Sequence, residues 1–377
     1  MAAFENELSE LVYELNASAA GTKVVERGSE LQALLGLAVK QKATDLLLVA
    51  GSPAVMRING ALNAGQGNVL SSDDLRKILL PLLNRDKAKE LEQMRALDFC
   101  FAEGTQGRFR ANFHYQRGTL AASIRLLPAQ VPTFESLNLP PVLTKLAERR
   151  QGLILLTGPT GSGKTSTMAA FVECINSRRR DHIITIEDPV EYQHANRKSI
   201  VEQIEVGQDT PGFAQAVRAV LRQDPNVILI GEMRDPETMS AALTAAETGH
   251  LVLTSLHTND AAQTMSRIID SFPSTNQAQI RQQLSLALLA VIAQQLVPAM
   301  DGKGMYPAVE VMIATLAIRN LIRQGQDHLL RSHISAGKAD GMMTMDQFLA
   351  ELVHTRRITR ETAMAHSHQM ADLRSYL

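Results

Sequence analysis

The chain has no tryptophan, two cysteines in 377 residues and no apolar run approaching the ~20 residues that span a bilayer. Cys100 and Cys174 stand far apart, which argues against a zinc site or a disulfide framework and fits a reducing, cytosolic compartment. An excess of one charge is also missing. Lys and Arg number 38 against 39 Asp and Glu, a formal net charge of −1, so nothing overall points to a nucleic-acid binder. The N-terminus carries Glu5, Glu7, Glu10 and Glu14 and lacks the basic-then-apolar order of a signal peptide. No internal repeat or low-complexity tract is visible. What remains is an ordinary globular composition with room for about two domains and a large core.

The most informative stretch is Gly158-Pro159-Thr160-Gly161-Ser162-Gly163-Lys164-Thr165. The apolar run Gly152 to Thr157 before it reads as a buried strand, and Ser166 to Ile175 after it reads as a helix. Strand, glycine-rich loop, Lys-Thr and helix is a phosphate-binding loop in its required context. Glycines let the backbone wrap an anion, and the freed N–H groups and helix N-terminus face the phosphates. In that role Lys164 reaches the β- and γ-phosphates and the Thr165 hydroxyl ligates Mg²⁺. The cofactors expected are therefore ATP and Mg²⁺.

Ahead of this loop, residues 3–16 carry Phe4, Leu8, Leu11, Val12 and Leu15 at helical spacing, with an acidic opposite face unsuited to an anionic membrane. Gly21 to Gly28 reads as a linker. A helix is expected over Leu31 to Lys42, strands over Asp45 to Ala50 and Ala54 to Leu62, helices over Asp73 to Leu83 and Arg85 to Met94, and a strand over Asp98 to Glu103. From Arg108 to Arg117 the pattern alternates: Phe109, Ala111, Phe113 and Tyr115 on one face, Arg108, Arg110, Asn112 and His114 on the other. Alternation resumes with Leu120, Ala122, Ile124 and Leu126 inward and Arg125 outward. A strand pair with a cationic outer face follows; on pattern alone, that face could simply be solvated. Pro128, Pro132, Pro140 and Pro141 mark a linker, so the domain boundary is placed over residues 128–141.

Beyond it, apolar strands alternate with helices, which predicts a doubly wound, largely parallel sheet. The strands are Gly152–Thr157, His182–Glu187, Asn226–Gly231 and Leu251–Ser255. In such sheets ligands bind beyond the carboxyl ends of the strands, and each of these ends in polar chemistry. The first ends in the phosphate loop, the second in Glu187-Asp188, the third in Gly231-Glu232, and the fourth runs into Leu256-His257-Thr258. Glu232 is placed to polarise the attacking water and to reach Mg²⁺ through a water. Glu187 reads either as a second acid or as part of a strand-terminating Glu-Asp-Pro turn. His250 and His257 read either as site residues or as hydrogen-bonded structural ones. A long apolar helix is expected from Gln277 to Val297, followed by helices over Ala314 to Gln324, Thr344 to Val353 and Thr359 to His366.

With these residues together, the chain from Leu31 onward resembles the secretion-ATPase superfamily and, within it, the type IV pilus retraction ATPases. The resemblance rests on the phosphate loop, on Ile184-Thr-Ile-Glu-Asp-Pro-Val-Glu-Tyr192 (similar to the family's Asp box), on Leu221 to Asp235 (its Walker B) and on Thr248 to Thr258 (its His box). Ala317-Ile-Arg-Asn-Leu-Ile-Arg323 is similar to a helix that retraction requires. The resemblance implies an α/β fold: a RecA-like P-loop NTPase domain over 142–377 with a helical subdomain from about 273, and a smaller α+β, PAS-like domain over 29–127. It implies a cytoplasmic homo-hexamer at the pilus base, acting on an inner-membrane platform protein and hydrolysing ATP. It further implies catalytic roles for Glu232, Glu187, Lys164, His257, Arg110 and Arg125, the arginines serving the γ-phosphate, with Gly158 to Ser166 binding nucleotide. Leu47 and Ile204 stand where members often have His and Arg. Extension and type II secretion ATPases share these boxes but usually carry a four-cysteine zinc insert, which this chain lacks. A non-hydrolysing accessory ring subunit is a further alternative, set against the intact Lys164, Thr165, Glu187 and Glu232.

Overall fold

Alternation in the N-terminal part and unbroken apolar strands in the C-terminal part produce two different sheets. The computed structural model describes residues 29–377 except Asn59, Gln66 and Thr105. The helix expected over 3–16 and the linker to Gly28 lie outside the described residues. Packing divides the chain between Ala129 and Gln130.

The first unit contains helices α1 (Ser29–Lys40), α2 (Ser72–Leu79) and α3 (Arg85–Met94). Its strands are β1 (Asp45–Leu48), β2 (Val55–Ile58), β3 (Ala61–Ala64), β4 (Ala96–Glu103), β5 (Gly107–Gln116) and β6 (Thr119–Leu126). They form an antiparallel sheet in the order β3-β2-β1-β6-β5-β4. Ser71 and Asp74 make a reciprocal capping box that starts α2, and Asn84 caps α3. Arg117 and Gly118 both have positive φ (47° and 78°), the signature of a tight type I′ hairpin turn. That turn fixes the β5–β6 register and sends Phe109, Ala111, Phe113, Leu120, Ala122 and Ile124 into the core.

The second unit runs α4 (Val142–Ala147), β7 (Gly152–Thr157), α5 (Lys164–Arg178), β8 (His182–Glu187), β9 (Ile200–Glu205), α6 (Phe213–Val220) and β10 (Val227–Ile230). It continues with α7 (Pro236–Glu247), β11 (Leu251–Leu256), α8 (Ala261–Asp270), α9 (Ser274–Ala287), β12 (Leu288–Pro298) and β13 (Met305–Ile313). It ends in α10 (Leu316–Gln324), α11 (Leu330–Ala336), α12 (Met345–His354), α13 (Arg360–Ala365) and α14 (Met370–Tyr376). The sheet order is β13-β12-β7-β11-β10-β8-β9, parallel except for β13. This is the RecA-like arrangement, in which β11 separates the phosphate-loop strand β7 from β10. Both faces are covered: Leu153 and Leu155 of β7 enter one core, Ile154 and Leu156 the other.

The expected helix from Gln277 to Val297 is corrected. Its first part is α9, which stops at Ala287; Leu288–Pro298 is strand β12. Leu288 to Ala293 are all buried, because β12 lies between β7 and β13 with helices on both faces. Such a strand shows no alternation and reads like a buried helix. Strands β9 and β13 were likewise not anticipated, so the region after residue 273 is helical only from α10 onward, apart from α9. Among the described residues no helix is long and apolar enough to cross a membrane.

Candidate functional site

The phosphate loop leaves β7 at Gly158 and enters α5 at Lys164. Gly158, Gly161 and Gly163 have φ of 144°, 79° and 86°, values that L side chains rarely adopt. A Cβ on Gly158 would lie 2.1 Å from the Gln294 carbonyl oxygen, so only glycine fits there. Lys164 is buried, and its Nζ donates to the carbonyls of Gly158 (2.7 Å) and Pro159 (3.0 Å). Burial pulls its pKa down, while Glu232 acts in the opposite direction. Pro159 also accepts from the Ser162 N–H (3.2 Å). Ser162 Oγ is buried with no hydrogen-bond partner among the described residues. Thr160 and Gly161 form the exposed tip; Thr165 and Ser166 lie in the first turn of α5. A glycine cradle, a buried ammonium and a 15-residue helix pointing its N-terminus at the loop fit a nucleotide's phosphates.

Glu232, just beyond β10, is largely buried. One carboxylate oxygen lies 2.5 Å from Arg234 Nη2 and the other 3.4 Å from His257 Nε2. Arg234 is mostly exposed. The ends of β10 and β11 are tied together: Met233 N–H donates to Ser255 O (3.1 Å), and Ser255 Oγ donates to Gly231 O (2.7 Å). These bonds bring Glu232 and His257 to one place on the rim. His250 is elsewhere, at the other end of β11, with Nδ1 3.0 Å from Ala245 O at the close of α7.

Glu187 ends β8. It accepts from Thr185 Oγ1 (2.7 Å) and Gln203 Nε2 (3.2 Å). Burial pushes its carboxyl pKa up, opposed by those two bonds. Gln203 also donates to Tyr192 O (2.8 Å), and Tyr192 OH lies 2.8 Å from Ser166 Oγ on α5. Glu187 is thus joined to the phosphate-loop helix through Gln203 and Tyr192. Sequence reading missed Gln203, because it sits on the unanticipated β9. It also missed Gln294 and Arg234.

Arg110 and Arg125 lie in the first unit, on the polar face of the β5–β6 hairpin. Arg125 Nε is 2.9 Å from Asp45 Oδ1, and Arg110 Nη2 is 4.0 Å from Asp98 Oδ1. Arg57 approaches the other oxygen of Asp45 at 3.6 Å. Among the described residues no group of three or more His, Cys, Asp or Glu could hold a metal ion. That pattern suits Mg²⁺, which is usually held by one or two protein groups plus substrate phosphates. Thr165 and Glu232 are the groups that would contribute.

The family model described as type II/IV secretion system protein matches residues 124–374. The chain is 42% identical over 334 residues to the type IV pilus retractation ATPase PilT of Pseudomonas aeruginosa, covering 89% of this chain and 97% of that protein. It is 40% identical over 345 residues to the type IV pilus ATPase PilU of the same organism, covering 92% and 90%. Among solved structures, the pilus retraction motor PilT with bound ADP superposes with a TM-score of 0.86 at 43% identity, covering 92% of this chain and 99% of that one.

Proposed function

The chain belongs to the type II/IV secretion system protein family, and on that premise we propose that it is an ATP-hydrolysing motor for type IV pilus retraction. The observation that carries this reading is the convergence of four strand ends on one rim. There, a phosphate loop with a buried lysine stands in a sheet that also presents Glu187, Glu232 and His257. Similarity to pilus retraction ATPases over about nine-tenths of the chain sets the biological task.

Bound ATP supplies the phosphoryl group, and Mg²⁺, held through Thr165 and Glu232, neutralises its charge. Backbone N–H groups from Gly158 to Ser166 bind the phosphates. Lys164 exchanges loop carbonyls for phosphate oxygens. Glu232 orients the attacking water and holds its proton, with His257 fixing one side of the carboxylate. Glu187 holds the Asp box against the phosphate-loop helix. Arg110 and Arg125 add positive charge to the transferred phosphate. The working form is a homo-hexamer in the cytoplasm, at the inner-membrane base of the pilus, acting on the platform protein there.

Deleting the chain's gene in a piliated host tests this. Retraction predicts surface pili that remain, or increase, with loss of twitching. Loss of the pili themselves would instead mark an extension motor.

A further inference from the structure

Strand β12 carries a buried polar side chain that the mechanism above does not use. Gln294 is only 3% exposed. Its Nε2 donates to Ser162 O at 2.7 Å, and its Oε1 accepts from Thr167 Oγ1 at 2.8 Å. The first bond fixes the amide's orientation, since a carbonyl can only accept. The Gln294 backbone also presses on the loop: its carbonyl oxygen is the atom that a Cβ at Gly158 would strike. Its Nε2 lies 2.8 Å from where a Cβ at Gly163 would stand. Two loop glycines therefore abut this one residue.

We infer that Gln294 is a positioning residue for the nucleotide site, setting the phosphate loop in its anion-binding form. A peptide unit is planar, so holding the Ser162 carbonyl fixes the direction of the Gly163 N–H on the opposite side. Turning loop carbonyls inward and N–H groups outward is what makes such a loop an anion cradle. The Thr167 bond ties the same amide to the first turns of α5, so loop and helix are set together. The strand supports this placement. Ala293 pairs with Thr157 at the end of β7, which puts Gln294 beside the point where the loop departs. The neighbouring Gln295 faces elsewhere: its Nε2 donates to His366 O (2.9 Å) and its Oε1 lies 3.2 Å from His366 Nδ1, both after α13.

The inference rests on the ATPase reading, and the test separates the two. ATP binding and steady-state hydrolysis are measured for wild type, Gln294→Leu, Gln294→Glu and Gln295→Ala, with melting temperatures taken without nucleotide. Gln294→Leu removes both bonds at similar volume; Gln294→Glu keeps the Thr167 acceptor but loses the donor to Ser162. Both are expected to raise the ATP Kd and KM by about tenfold or more. Gln295→Ala, which loosens only the C-terminal helices, is expected to lower the melting temperature with Kd within about twofold of wild type. ATP binding by both Gln294 variants within about twofold of wild type would overturn the inference. So would a loss of affinity in Gln295→Ala matching theirs, since that would reduce the effect to general destabilisation. If wild type binds no ATP, the ATPase reading fails first.

Discussion

Arg110 and Arg125 stand directly opposite each other across the β5–β6 hairpin. Like charges in register are destabilising in a sheet. Here Asp98 and Asp45 flank the pair and offset part of that repulsion. The arrangement makes sense if the charge serves a ligand rather than the fold. Arg110→Gln and Arg125→Gln should leave the melting temperature unchanged or slightly raised. Each should lower ATP turnover by about 10²-fold or more, in keeping with the large effect of arginines on phosphoryl transfer. Loss of stability without loss of turnover would make these arginines structural.

Gly158 and Gly161 both have positive φ, but their surroundings differ. A Cβ at Gly161 meets nothing within 4 Å, whereas one at Gly158 meets the Gln294 backbone. Gly161→Ala should therefore cost about 1–2 kcal/mol from backbone strain alone. Gly158→Ala should cost clearly more, because backbone must move, and should abolish ATP binding. Urea midpoints and nucleotide titrations of the two variants check the order.

Glu310 on β13 is buried, which pushes its carboxyl up to about 7; the nearby Asp260 adds to this, while the N–H groups of Ala261 and Met345 and the Arg331 guanidinium oppose it. The unfolded chain gives up this proton near 4.5. The stability from a raised carboxyl pKa is thus present below 4.5 and is lost as pH rises through 7. His194, held at about 4 by burial, acts in the opposite sense and only as pH falls below its ordinary 6.5. Between pH 6.5 and 8 the slope at these two groups therefore belongs to Glu310. Glu310→Gln should flatten it, gaining on wild type by up to about 3 kcal/mol at pH 8. Parallel pH profiles for the two proteins would contradict this.

The phosphate loop was legible because its glycines, lysine and flanking elements are all local. Glu232 and His257 were legible because each directly follows an apolar strand. The β5–β6 hairpin was legible through its period of two. What escaped was the work of residues on strands hidden by full burial or weak pattern. Leu288 to Ala293 is rich in Leu and Ala and buried on both faces, so it imitates the helix before it. Gln294 consequently fell inside an expected helix, with no reason to meet a loop more than 130 residues earlier. Gln203 was lost in the same way with β9. The Arg234–Glu232 pair was readable only as spacing, since residues two apart beyond a strand need not touch.

The account's central claim is that Glu232 completes an ATPase site that works in an assembled ring. The most direct measurement is steady-state ATP hydrolysis by wild type and Glu232→Gln over a range of protein concentration. Wild type should turn over ATP with specific activity that rises with concentration. Glu232→Gln should bind ATP yet lose about 10²-fold or more of that turnover. A wild-type protein that binds nucleotide and forms rings but never hydrolyses it, or a Glu232→Gln variant as active as wild type, would contradict the account.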